Sequence, residues 1–125
     1  MQLQELARTL DLQPLVPAVE LYHDENEDRD EGIEITQGYA SDLLSDVLAN
    51  APAGGILVTL QVHLNVIAVA SHAGLQAVIF SSGRIPDEDV VEKATEEGLS
   101  LYASKSDTFE IVGRLYELGL RGSLA

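Results

Sequence analysis

The chain has no cysteine among its 125 residues. That excludes disulfides, thiolate metal sites and cysteine nucleophiles together, and it fits a cytoplasmic protein. Tryptophan is absent and aromatic residues make up only 5%, so a core has to be built from Leu, Val, Ile and Ala. Cations are scarce: seven Lys plus Arg stand against 21 Asp plus Glu, a formal charge of −14. Nucleic-acid affinity rests largely on cationic neutralisation of phosphates. With no basic patch in the sequence, neither nucleic acid nor an anionic membrane surface is an expected partner. Long apolar runs are missing too. The longest, Val66–Ala70, falls far short of the roughly 18 residues that span a bilayer. Met1–Glu5 shows neither the basic start nor the apolar stretch of a signal peptide.

What is present reads as one α/β domain, a length at which a core forms without staples. Leu3, Leu6, Ala7 and Leu10 recur at helical spacing, so Gln2–Leu10 is an amphipathic helix. Pro14 and Pro17 bracket Leu15–Leu21, which is at best an edge strand because proline lacks a ladder donor. An acidic run, residues 24–31, carries a net charge of −5 and leaves −9 for the remainder. It reads as a solvated loop. Its alternating Asp24, Asn26 and Asp28 imitate a calcium loop, but Arg29 and Ile35 stand where that loop needs Gly and Glu. Ile33–Thr36 reads as a short strand entering Gly38.

From Gly38 the rhythm is regular. Ser41 or Asp42 caps a helix with Leu43, Leu44, Val47, Leu48 and Ala51 on its apolar face, and Pro52 with Gly54 and Gly55 ends it. Ile56–Leu60 is a continuous apolar run, the mark of a strand covered on both faces. Asn65–Ser71 is a helix by spacing, with a strand as the alternative from its Val and Ile content. Leu75–Phe80 is a second buried strand. Pro86 and the acids after it start a helix that Gly98 ends, with Val90, Val91 and Ala94 inward. Leu99–Tyr102 is a short strand. Asp107 and Glu110 have capping-box spacing before a last helix with Ile111, Val112, Leu115 and Leu118 inward. Alternating strands and short-looped helices imply a three-layer domain: a mostly parallel sheet of four to five strands flanked by helices.

Candidate chemistry gathers where strands end, the usual ligand edge of such a sheet. Gln61, His63 and Asn65 sit at alternate positions beyond Ile56–Leu60. They either converge on a ligand, Gln and Asn reading an amide or base edge, or cap the next helix. Ser81, Ser82 and Gly83 follow the next strand, as a plain turn or as N–H donors to a phosphate. Asp107 and Thr108 begin the last helix, as caps or as ligand contacts. Tyr39, Ser41 and Asp42 border the same edge. No metal site is expected, because His23, His63 and His72 form no HxH or HExxH spacing. The sequence has no Walker A, GxGxxG or GxSxG motif, and it names no cofactor.

Three blocks carry a family resemblance: Gly38–Ala49, Val58–Ala70, and Ala77–Gly83 with Asp107–Phe109 downstream. Over roughly Leu3 to Gly119 the chain resembles small stand-alone members of the DRTGG domain family, related to the N-terminal domain of HPr kinase/phosphorylase. The Asp-Arg position of the family name is filled around Gln61–His63, and its Thr-Gly-Gly element is answered by Ser81, Ser82 and Gly83. This points to a subgroup with its own strand-end chemistry. The resemblance implies an α/β regulatory domain without catalysis or a P-loop, binding a nucleotide or other small metabolite. It also implies a homodimer, to which the apolar Leu118–Leu124 tail adds support. The alternative is an interaction module for a partner enzyme, redox or hydrogenase-related or a kinase.

Overall fold

The computed structural model describes residues 1–16 and 32–123. The acidic run, its calcium-like spacing and the apolar piece beyond Val16 lie outside the described residues. The order of elements is α1 (Leu3–Thr9), β1 (Gln13–Val16), β2 (Gly38–Ala40), α2 (Leu44–Asn50), β3 (Ile56–Thr59), α3 (Asn65–His72), β4 (Ala77–Phe80), α4 (Glu88–Glu97), β5 (Ser100–Ala103) and α5 (Thr108–Glu117). The sheet has five strands in the order β1-β5-β4-β3-β2. β2, β3, β4 and β5 are parallel, and β1 lies antiparallel against β5 at the edge.

β3, β4 and β5 are buried at every residue, so their side chains alternate between two apolar layers. Ile56, Val58, Ala77, Ile79 and Tyr102 face a cluster with Leu3 and Leu6 of α1 and Ile111 and Leu115 of α5. Leu57, Val78, Phe80 and Leu101 face the other cluster, with Val47 of α2, Val66 and Ile67 of α3, and Val90 and Ala94 of α4. The result is three layers: α1 and α5 on one face of the sheet, α2 to α4 on the other. Gly98 ends α4 at φ 73°, a left-handed turn that only glycine adopts without penalty.

Four expectations need correction. Ile33–Thr36 is not a strand of the sheet. The Leu3 and Ile35 amides bond the Ile33 and Met1 carbonyls at 2.8 Å each, so this segment pairs with the N-terminus and the sheet takes up Gly38–Ala40 instead. The edge strand starts at Gln13 rather than Leu15. Pro14 sits within it, and a register irregularity separates Pro14 from Val16. In α2 only Val47 is fully buried. Leu43 and Leu48 are 65% and 47% exposed, because a helix this short turns only one row of side chains to the sheet. Val112 of α5 is likewise on the surface, at 37%.

Candidate functional site

Register places the C-terminal ends of β2, β3, β4 and β5 along one edge: Ala40 opposite Val58, Thr59 opposite Phe80, and Phe80 opposite Ala103. β4 and β5 are neighbours, yet the chain leaves β4 for α4 on one face and leaves β5 for α5 on the other. In open α/β sheets such a divergence opens a crevice where ligands bind. Here it is bridged by backbone hydrogen bonds. Ser82 N–H donates to the Ser106 carbonyl at 2.7 Å, Gly83 N–H to the Ser104 carbonyl at 2.8 Å, and Ser104 N–H to the Phe80 carbonyl at 2.9 Å. Below them the Ser81 and Thr108 hydroxyls meet at 2.7 Å, and Ser81 is fully buried. Ser82 and Gly83 both take positive φ, 59° and 72°, which turns the chain sharply after the strand and leaves both residues exposed. The structure therefore brings Ser81, Ser82, Gly83 and Thr108 together at one point. Asp107 stands beside them, its carboxylate accepting from Glu110 N–H at 2.9 Å as the N-cap of α5.

The second group lies beyond β3. Thr59 is fully buried; its hydroxyl donates to Asp42 Oδ1 at 3.0 Å and accepts from Gln61 N–H at 3.1 Å. Asp42 Oδ1 also accepts from Leu60 N–H at 2.7 Å. This corrects the expected cap: Asp42 ties the β2–α2 loop to the end of β3, and α2 begins at Leu44 with no side-chain cap. Two amide and hydroxyl donors converging on one carboxylate outcompete a single helix amide. The Ser41 hydroxyl accepts from Leu43 N–H at 3.2 Å. His63 is exposed, and its Nδ1 accepts from Asn65 N–H at 3.0 Å, at the first residue of α3. The Gln61 side chain is half-buried and that of Asn65 exposed.

Tyr39 lies on the same edge of the sheet but is engaged with α2, its hydroxyl donating to Asp46 Oδ1 at 2.8 Å, where Asn50 also donates at 2.8 Å. Hydrogen bonding from Ser41, then Asn50 and Tyr39, holds the Asp46 carboxyl below its ordinary value of 3.8. The Tyr39 hydroxyl is pushed up, first by its bond to Asp46 and then by burial. A depressed carboxylate contributes stability above the unfolded value and loses it as pH falls through the carboxylate range. Tyr39→Phe removes one of the three donors, so the variant should melt below the natural chain at neutral pH, and the gap should close as pH falls through the carboxylate range, giving a shallower acid limb. An acid limb identical to that of the natural chain would show that this bond is broken in solution.

Spacing does not reveal a cleft of about 590 Å³ on the α1 and α5 side of the β4–β5 crevice. Leu12 and Gln13, Gly83 and Ile85, Ser104 to Ser106, and Arg114 line it. These residues come from four separate segments, and of them only Gly83 carried a sequence signal. Among the described residues, no group of three His, Asp or Glu side chains is placed to hold a metal ion. No helix among them is long and apolar enough to cross a membrane.

No family model and no curated protein matches the chain. Among solved structures it is similar to the CBS and DRTGG domains of the regulatory region of Clostridium perfringens pyrophosphatase, crystallised with its activator diadenosine tetraphosphate. The TM-score is 0.69 at 14% identity, over 95% of this chain and 47% of that one. The chain thus spans about half the length of that neighbour, and at this identity the likeness is one of fold: a five-stranded α/β architecture shared with part of a regulatory region.

Proposed function

We propose that this chain is a DRTGG-type regulatory domain of the cytoplasm, without catalysis of its own, that binds a small molecule of the nucleotide class at the C-terminal edge of its sheet. One observation carries the reading: the diverging connections after β4 and β5 bring Ser81, Ser82, Gly83 and Thr108 together beside an open cleft. The likeness to a regulatory region supports it. Gln61, His63 and Asn65 extend the same edge and are assigned to the ligand's far side.

A thermal-shift screen of the full chain with AMP, ADP, ATP, dinucleotides, NAD and divalent metals tests it. A ligand at about 100 times its dissociation constant stabilises the fold by about 2.7 kcal/mol, a rise of several degrees for a domain of this size. The expected result is a selective rise for one class, lost in Asn65→Ala or His63→Ala while the unliganded melting temperature holds. A flat response across every class would overturn the reading.

A second reading has its own support. Phe109, Val112 and Tyr116 of α5 are 76%, 37% and 58% exposed at spacings of three and four residues, an apolar row left uncovered by the sheet, with Arg121 against the Tyr116 ring. Such a row suits an interaction surface, with a second copy of the chain or a partner enzyme against it. Sedimentation of the natural chain against Phe109→Asp distinguishes the two occupants. A concentration-dependent dimer lost in the variant supports self-association, and a monomer in both supports a partner enzyme.

A further inference from the structure

The chain has only seven cationic side chains against 21 acids, and their placement is uneven. Lys93 is neutralised on α4, 3.7 and 3.4 Å from Glu96 and Glu97. Arg121 lies 3.8 Å above the Tyr116 ring and donates to the Tyr116 and Leu120 carbonyls. Two others, Lys105 and Arg114, line the same cleft beside β5, where Asp11 is the single acid. Arg114 is half-buried and anchored by a 3.1 Å bond to the Thr9 carbonyl, which uses one of its five donors. Lys105 makes no ion pair with any described residue.

The lining has two characters. Around Lys105 are the Ser104 and Ser106 side chains and the exposed Gly83, whose N–H is held by the Ser104 carbonyl and where a Cβ would meet nothing within 4 Å. Across from them are Leu10, Leu12 and Ile85, the last 55% exposed. A volume of about 590 Å³ falls within the range of small-molecule sites. In a protein of charge −14, an anion approaches against the overall field. A cleft lined by two cations and one acid opposes an anion less than the overall charge does. Hydroxyls and cations suit phosphate oxygens, and the apolar wall suits an uncharged ring.

We propose that this cleft binds a phosphorylated small molecule of the nucleoside-phosphate type, its phosphate between Lys105 and Arg114 and its uncharged part against Ile85 and Leu12. The proposal rests on the regulatory reading above and gives that site its ligand chemistry. Titration calorimetry of the full chain at low ionic strength, with AMP, pyrophosphate and adenosine as probes, tests it, together with amide shifts of the labelled protein. The expected result is saturable AMP binding with shifts at Gly83, Ser104, Lys105 and Ser106, weaker binding of pyrophosphate, and weaker still of adenosine. Added salt should reduce the affinity. Lys105→Glu should weaken AMP at least about tenfold, since a nearby charge is reversed, while Lys93→Gln leaves it unchanged. Lys105 is exposed and makes no ion pair with a described residue, so this variant decides even if Arg114→Gln proves unstable. AMP and pyrophosphate that fail to saturate, or that bind Lys105→Glu as tightly as the natural chain, overturn the proposal. Adenosine binding as tightly as AMP, or shifts confined to Gln61–Asn65, overturn it and leave the regulatory reading standing. No response to any ligand class overturns both.

Discussion

Phe80→Ala should lower stability by about 3–5 kcal/mol, the range for truncating a fully buried phenylalanine. The ring lies in the layer between the sheet and α2 to α4, among Leu57, Val78 and Leu101. Its deletion removes apolar burial and leaves a cavity that strands hydrogen-bonded on both sides cannot collapse around. Natural domains hold only about 5–15 kcal/mol in total, so the loss should appear as a fall of about 10 °C or more in melting temperature. Urea denaturation with an unchanged slope would assign it to the folded state. Phe80 also carries the carbonyl that accepts from Ser104 N–H at 2.9 Å. Loosening β4 should therefore increase amide exchange at Ser104 and around Ser81 ahead of global unfolding. A loss below about 1.5 kcal/mol would mean that α3 and α4 repack into the space.

Thr59→Val is expected to cost about 1–3 kcal/mol although it changes little in shape. The valine keeps the burial and removes the hydroxyl. Gln61 N–H then loses its acceptor and Asp42 loses one of two donors. Asp42→Ala alone should be costly through Leu60 N–H, and the double variant should fall short of the sum, as expected of residues in one hydrogen-bonded unit. Strict additivity in that cycle would show the two side chains to be independent. Because this unit fixes where the chain leaves β3, Thr59→Val should also shift the amides of Gln61, His63 and Asn65 without unfolding α3.

How much of this was legible in the sequence follows from how local each feature is. β3 and β4 were readable because strands covered on both faces are apolar throughout, and α3 because Val66, Ile67 and Ala70 keep helical spacing. Asp107 was legible as a cap because its partner, Glu110, is three residues away. Ile33–Thr36 misled because nothing near it reports that residues 1–3 take its hydrogen bonds. Asp42 misled for a related reason: its donors lie 17 and 18 residues on. Of the candidate site, the strand-end serines and Gly83 carried a signal. Lys105 and Arg114 did not, because only the fold brings the α1–β1 turn, the β4 turn and α5 to one cleft.

The edges of the sheet bear on how the chain avoids self-templated aggregation. At one edge β1 contains a proline and breaks register between Pro14 and Val16. At the other, β2 is three residues long and its Gly38 N–H is already taken by the Arg121 carbonyl. Neither offers the flat, unpaired ladder on which a foreign strand can grow. A polypeptide that is 46% hydrophobic is thus shielded from fibrillar stacking, among the described residues, by how its outermost strands end.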